Sequence, residues 1–149
     1  MKRKPLRPPG VRVFKTLYAL GLGPLVGRLV LLLTTTGRKS GMPRTTALQY
    51  EEIDGAIYLG SSRGTRADWF QNLVANPCVG IRVKSRQFSG KAQPVTDPVL
   101  IADFLELRLQ RHPRMVGAML KSEGLPATPS RAELETYASK LALAIIRPL

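Results

Sequence analysis

The sequence predicts an α+β fold in which about six mostly antiparallel strands roll into a small barrel with helices packed outside. Three observations carry this. Apolar runs of strand length are joined by hairpin turns, above all Asp54-Gly55, a dipeptide that is the strongest short-range hairpin signal. Helical periodicity is confined to the region before residue 29, a short segment at 68–75 and a block after residue 96, so strands and helices do not alternate as a doubly wound sheet requires. Gly-x-Gly-x-x-Gly is absent, which removes a Rossmann dinucleotide site.

Each element has its own justification. Leu29 to Thr36 is a continuous apolar and threonine run suited to a buried strand, and Gly37 to Pro43 is a polar loop. Thr45 to Ile53 and Ala56 to Ser61 flank Asp54-Gly55 as the two arms of a hairpin. Asp68 to Ala75 reads as a helix: an acid sits at its positive end, Trp69/Leu73 and Phe70/Val74 are i, i+4 pairs, and Pro77 stops it. Val79, Ile81 and Val83 alternate with Gly80, Arg82 and Lys84. After a turn at Ser85-Arg86 a further strand runs from Gln87 to about Val95. Leu100, Ile101, Phe104, Leu105 and Leu107 form the apolar stripe of a helix from Asp97 to Gln110, and Arg114 to Lys121 is a shorter helix ended by Gly124. Ser130-Arg131-Ala132-Glu133 is a capping box that opens the last helix, and Leu141 to Ile146 closes the sheet.

A chain of 149 residues with 44% hydrophobic and 22% charged side chains makes one domain, here a basic tail at 1–12 followed by a single unit at 13–149. One cysteine and one histidine exclude an intramolecular disulfide and the soft ligand sets of zinc, haem-thiolate and iron-sulfur sites, so no metal is expected. A cytoplasmic compartment follows from the same count. Cys78, opening a strand, is expected in the core; His112, before Pro113 between two helices, is expected at the surface.

Net charge is +13, and it is unevenly spread. Residues 1–50 hold ten Lys or Arg and no acid, whereas the rest carries 13 basic and 10 acidic side chains. The first third should therefore attract something anionic. A secretory leader is disfavoured because Gly21, Gly23, Pro24 and Arg28 interrupt the apolar run at 17–33 and no small-residue cleavage site follows. What remains is an amphipathic helix with Phe14, Leu17, Tyr18, Gly21 and Leu25 on one face. It either packs on the domain, the preferred reading, or rests with residues 1–26 on the inner face of an anionic membrane. Nucleic acid is disfavoured, since Tyr50 and Tyr58 have few cations near them in sequence.

Two constellations carry chemistry. Thr34 to Thr45 places Arg38, Lys39 and Arg44 with several hydroxyls around Gly37 and Gly41, so guanidinium forks, an ammonium and backbone amides can converge on a phosphate. The alternative is a solvated basic turn. Gly60 to Pro77 joins a hydroxyl-rich and glycine-rich loop to a helix start, with Trp69 and Phe70 able to wall a flat ring or to fill the core. Asn72 either caps a neighbouring backbone or bonds a ligand.

Taken together in this order, Thr34 to Arg44, Asp54-Gly55, Ser61-Ser62-Arg63-Gly64 and Ala67 to Pro77 resemble the deazaflavin-dependent nitroreductase and quinone reductase family over roughly residues 15 to 95. The resemblance implies a split β-barrel that binds coenzyme F420, a phosphorylated 5-deazaflavin with an oligoglutamate tail, with FMN as the alternative cofactor. It implies that Arg38, Lys39, Ser40 and Arg44 hold the phosphate and acidic tail. Around the ring it places Thr45, Thr46, Leu48, Gln49, Ser61, Ser62 and Arg63, and from the helix Asp68, Trp69, Phe70, Gln71 and Asn72. Ser62 is the candidate catalytic residue, hydrogen-bonding the negative charge that develops on hydride transfer to the acceptor. The implied activity is hydride transfer from reduced F420 to a small apolar acceptor such as a quinone, enone or nitro compound. The other reading is a split-barrel protein that binds FMN, haem or a lipid-like ligand without reductase activity. The chain would act as a monomer or homodimer.

Two departures bear on the acceptor. Nitro-reducing members have tyrosines facing it, but position 49 is Gln49 and residues 97–125 contain no tyrosine. Met115, Met119 and Leu120 suggest an apolar acceptor pocket or, equally, core methionines.

Overall fold

A computed structural model describes residues 30–126 and 128–149. The basic tail and the amphipathic segment expected before residue 29 lie outside the described residues. Among the described residues, seven strands and four α-helices follow in the order β1 (Leu31–Thr36), β2 (Pro43–Leu48), β3 (Glu51–Ile53), β4 (Ala56–Ser61), α1 (Asp68–Ala75), β5 (Cys78–Val83), β6 (Arg86–Val95), α2 (Pro98–Arg111), α3 (Pro113–Ser122), α4 (Arg131–Ala138) and β7 (Ala142–Pro148). A 3-10 turn at Gly64–Arg66 precedes α1.

The strands form one sheet in the order β2-β1-β5-β6-β7-β4-β3, every neighbouring pair antiparallel. Its two edge strands, β2 and β3, are separated by only Gln49 and Tyr50 in the chain. The edges must therefore lie close together, and the sheet curls into a half-barrel. This corrects the expectation of one strand over Thr45 to Ile53. β2 pairs with β1 while β3 pairs with β4, so one apolar run serves both edges and breaks where it passes between them.

Turn chemistry sets the registers. Ile53 pairs with Ala56 across Asp54 (φ 51°) and Gly55 (φ 81°), the two positive φ values of a type I′ turn. The β5–β6 turn is Lys84-Ser85, one residue earlier than the sequence suggests, because Val83 pairs with Arg86 and Lys84 takes the positive φ of 55°.

Period-2 alternation divides the core in two. Ala142, Ala144 and Ile146 of β7 face the barrel interior with Leu31, Leu33, Ile57, Leu59 and Ile81, where α1 contributes Phe70 and Leu73. Leu143 and Ile145 face the opposite side, against Ile101, Phe104, Leu105, Val116, Leu120 and Leu134 of the outer helices. Tyr58 stacks on Phe104 there, ring centroids 6.0 Å apart. Arg131 clamps α4 to α2 through Asp103 at 2.8 Å and Glu106 at 3.0 Å, and its hydrogen bonds to Glu106 and Asp103 raise its pKa further above the ordinary value. Burial, aided by Glu123, raises that of the Tyr137 phenol.

One expectation about a single residue changes. Cys78 is exposed, because Val79 takes the inner face of β5 and its predecessor must point the other way. Met115, Met119 and Leu120 differ in burial: Leu120 is fully buried, Met119 packs at the edge of the helical core and Met115 is 45% exposed. Among the described residues no helix is long and apolar enough to cross a membrane.

Candidate functional site

A groove of about 570 Å³ opens between the β1–β2 loop and α1, and both sequence constellations contribute to it. Gly37 to Ser40 and Pro43 to Thr46 form one wall; Asp68, Trp69 and Asn72 form the other.

The loop is rigid for local reasons. The Gly37 amide donates to Met42 O at 2.8 Å, the Gly41 amide donates to Gly37 O at 2.8 Å, and the Met42 amide donates to Ser40 Oγ at 3.2 Å. A side chain at Gly37 would sit 2.7 Å from Ser40 Oγ and 3.1 Å from Met42 O, so the tight return leaves little room for one there.

Asn72 joins loop to helix, and its role is neither of the two the sequence left open in pure form. Its Oδ1 accepts from the Arg38 amide at 3.2 Å and from Arg38 Nη1 at 2.8 Å, and its Nδ2 donates to the buried Thr35 hydroxyl at 3.3 Å. Arg38 Nη2 completes a fork on Asp68 Oδ1 at 3.2 Å. Asn72→Ala is expected to lower stability by about 1–3 kcal/mol, since the Thr35 hydroxyl and the Arg38 amide lose their partner together. Thermal melting, with the rate of tryptic cleavage after Lys39, checks this; an unchanged melting temperature with unchanged cleavage would refute the coupling.

The charges then separate into two kinds. Arg38, expected to hold phosphate, is committed to Asp68 and Asn72 and acts as a strut. Lys39 and Arg44 are exposed in the groove and join no ion pair among the described residues, and the Ser40 hydroxyl lies between them in sequence. Three cations against the single Asp68 carboxylate leave the groove positive. Trp69, 9% exposed, offers a wall and is braced edge-on by Phe70, centroids 6.0 Å apart at 80°.

The other expected site residues lie elsewhere. Phe70 and Leu48 pack against the barrel core. Gln49 accepts from Arg108 Nη2 at 3.1 Å, because the chain leaves β2 at this point and passes under α2. Gln71 points to the far side of α1 and donates to Thr65 O at 3.0 Å. Ser61 is buried, its hydroxyl donating to Gly64 O at 2.7 Å. Ser62 and Arg63 line a second cavity beyond the start of α1 that shares no lining residue with the groove, since the β4–α1 connection carries them past it.

Sequence reasoning missed Pro43 in the groove wall and, beneath the β2–β3 junction, a buried cluster. Glu51 Oε1 accepts from Arg108 Nε at 3.3 Å and lies 3.1 Å from His112 Nε2, and Glu51 Oε2 accepts from Arg111 Nη1 at 3.1 Å. The alternation of β3 hints that Glu51 faces inward, but nothing local names partners in α2.

A family model described as F420H(2)-dependent quinone reductase matches residues 11–120, which include the whole groove. The chain belongs to this family. The F420H(2)-dependent quinone reductase Rv1261c of Mycobacterium tuberculosis is 43% identical over 68 residues, 44% of this chain. The match spans 46% of that relative, about half its length. Among solved structures, an F420-H2 dependent reductase, FDR-A, superposes with a TM-score of 0.55 at 22% identity, covering 80% of this chain and 95% of its own. HutZ, the heme storage protein from Vibrio cholerae, superposes with a TM-score of 0.55 at 16% identity, covering 82% of each chain. At such identities the likeness concerns the fold, the split barrel of the F420H(2)-dependent quinone reductase family and of other binding proteins alike.

Proposed function

We propose that the groove binds reduced coenzyme F420 and that the protein passes a hydride from it to a quinone-type acceptor. The observation that carries this is the pair of free cations, Lys39 and Arg44, on a loop that Asn72 locks beside Trp69. An acidic phosphorylated tail is what such a pair recognises, and Trp69 with Thr45 and Thr46 offers a flat polar-edged wall to a ring. Bound F420 supplies the hydride at C5 of its deazaflavin. The chain's own part is to hold the anionic tail through Lys39, Ser40 and Arg44, to keep Arg38 and Asp68 neutralised against each other, and to orient the ring against Trp69. Ser62 and Arg63, outside the groove, have no part in this reading.

The test follows deazaflavin fluorescence on titration with F420, with FMN as control, and then oxidation of reduced F420 on addition of menaquinone, an enone and a nitroaromatic. Saturable F420 binding with turnover fastest on the quinone is the expected result. Binding of FMN in preference to F420 would overturn it. Presenting menaquinone in anionic and in neutral vesicles within the same assay addresses residues 1–26: faster turnover on anionic vesicles is expected from the positive excess of the first fifty residues, and equal rates would remove the membrane reading.

A further inference from the structure

Beyond the start of α1 lies a cavity of about 530 Å³ whose walls include Ser62, Arg63, Arg66, Thr96, Ser139 and Lys140. Its lining carries three cations and no carboxylate. Among the described residues none of Arg63, Arg66 and Lys140 has an acidic partner within ion-pair distance. Three like charges facing one space, unrelieved by any acid, make it complementary to an anion.

The floor of this cavity is built rather than incidental. Gly64 has φ +60°, and a side chain there would come within 2.7 Å of Lys140 O, so the β4–α1 connection is seated directly on the turn before β7. The Ser61 hydroxyl, buried, fixes Gly64 O from beneath at 2.7 Å.

An apolar slot of about 390 Å³ adjoins it, formed by Phe70, Gln71, Val74 and Pro94, with Thr65 and Thr96 common to slot and cavity. Val74 is 55% exposed and open to the slot, and Pro94 brings a ring and no N–H to the opposite wall. The Gln71 amide is tied back to Thr65 O at 3.0 Å, which leaves its methylenes to the slot.

A cationic head pocket that continues into an apolar slot matches one ligand chemistry. An inorganic anion has no use for the slot, and a neutral chain has none for the cations. We propose that this composite site binds a single-chain amphiphilic anion of the fatty-carboxylate class, its carboxylate at Arg63, Arg66 and Lys140 and its chain along Phe70, Val74 and Pro94. The site is separate from the coenzyme groove, with which it shares no lining residue.

Calorimetric titration of the full chain with dodecanoate, below its micellar concentration, tests this. One-to-one binding is expected, weakened about tenfold or more in Arg66→Ala with Lys140→Ala and when dodecanol replaces dodecanoate, since each change removes charge-assisted bonds to the head. Val74→Asp is expected to weaken it similarly, and because Val74 is exposed the variant keeps its fold, which the melting curve verifies. Saturating F420 leaves the affinity unchanged. The proposal is overturned if the variants bind dodecanoate as the parent does, if F420 displaces it, or if the protein takes up anionic vesicles but no free dodecanoate. The dodecanoate titration uses no coenzyme, so its outcome is independent of whether the groove binds F420.

Discussion

Lys39→Ala combined with Arg44→Ala is expected to weaken F420 binding about a hundredfold. Each side chain offers a charge-assisted bond worth about 1.5–3 kcal/mol in full. Both are exposed, so solvent screening takes back part of that, leaving about 3 kcal/mol for the pair. These two, rather than Arg38, are expected to carry the effect. Arg38 already satisfies Asp68 and Asn72, whereas among the described residues Lys39 and Arg44 pair with no carboxylate that a ligand would have to displace. Binding by the parent should accordingly weaken as salt rises, and the double variant should lose most of that dependence. Lys91→Ala with Lys121→Ala removes the same net charge from exposed positions outside the groove and is expected to leave F420 affinity within twofold, which separates local contact from overall charge. Equal affinity in the two double variants would remove the groove as the coenzyme site.

Elements written in neighbouring residues were legible in the sequence. Asp54-Gly55 forms the turn its dipeptide implies, Asp68–Ala75 is a helix with the expected bounds, and Ser130 with Glu133 closes both bonds of the capping box. Each of these depends on groups within four residues, where side-chain type alone decides the hydrogen bond. What failed depends on partners far along the chain. The run from Thr45 to Ile53 alternates like one strand, and only the meeting of the two sheet edges requires it to break at Gln49-Tyr50. The tie of Arg38 to Asp68 and Asn72 was not legible because these partners lie 30 and 34 residues away, on a helix whose placement over the loop no local pattern states. The groove itself was half legible for the same reason. Its cations, Trp69 and Asn72 were visible as residue types, whereas the division of cations into a strut and two free groups is a property of the packed molecule.

The largest stability effect is expected at the cluster that sequence reading missed. Glu51→Leu should lower stability by about 3–5 kcal/mol, because it leaves the Arg108 guanidinium buried with the neutral Gln49 as its remaining side-chain partner. Arg108 has 10% of its side chain exposed and cannot turn to water without moving α2, whereas Arg111 and His112, at 40% and 44%, regain solvent once the carboxylate is gone. For a chain of this size the loss corresponds to a melting temperature lower by about 10 °C. The discriminating variant adds Arg108→Met. If the penalty is an uncompensated buried charge, Glu51→Leu with Arg108→Met should melt well above Glu51→Leu alone, since a well-packed apolar pair replaces an ion pair at little or no cost. If the double variant instead melts lower still, the cluster acts through its hydrogen-bond geometry, pinning the end of α2 to the β2–β3 junction, and the apolar pair fails to replace that tie. Either way the groove reports the consequence: Gln49, which Arg108 holds, follows directly on Leu48 at the end of the strand that presents Thr45 and Thr46, so loss of Arg108 should weaken F420 binding as well as stability.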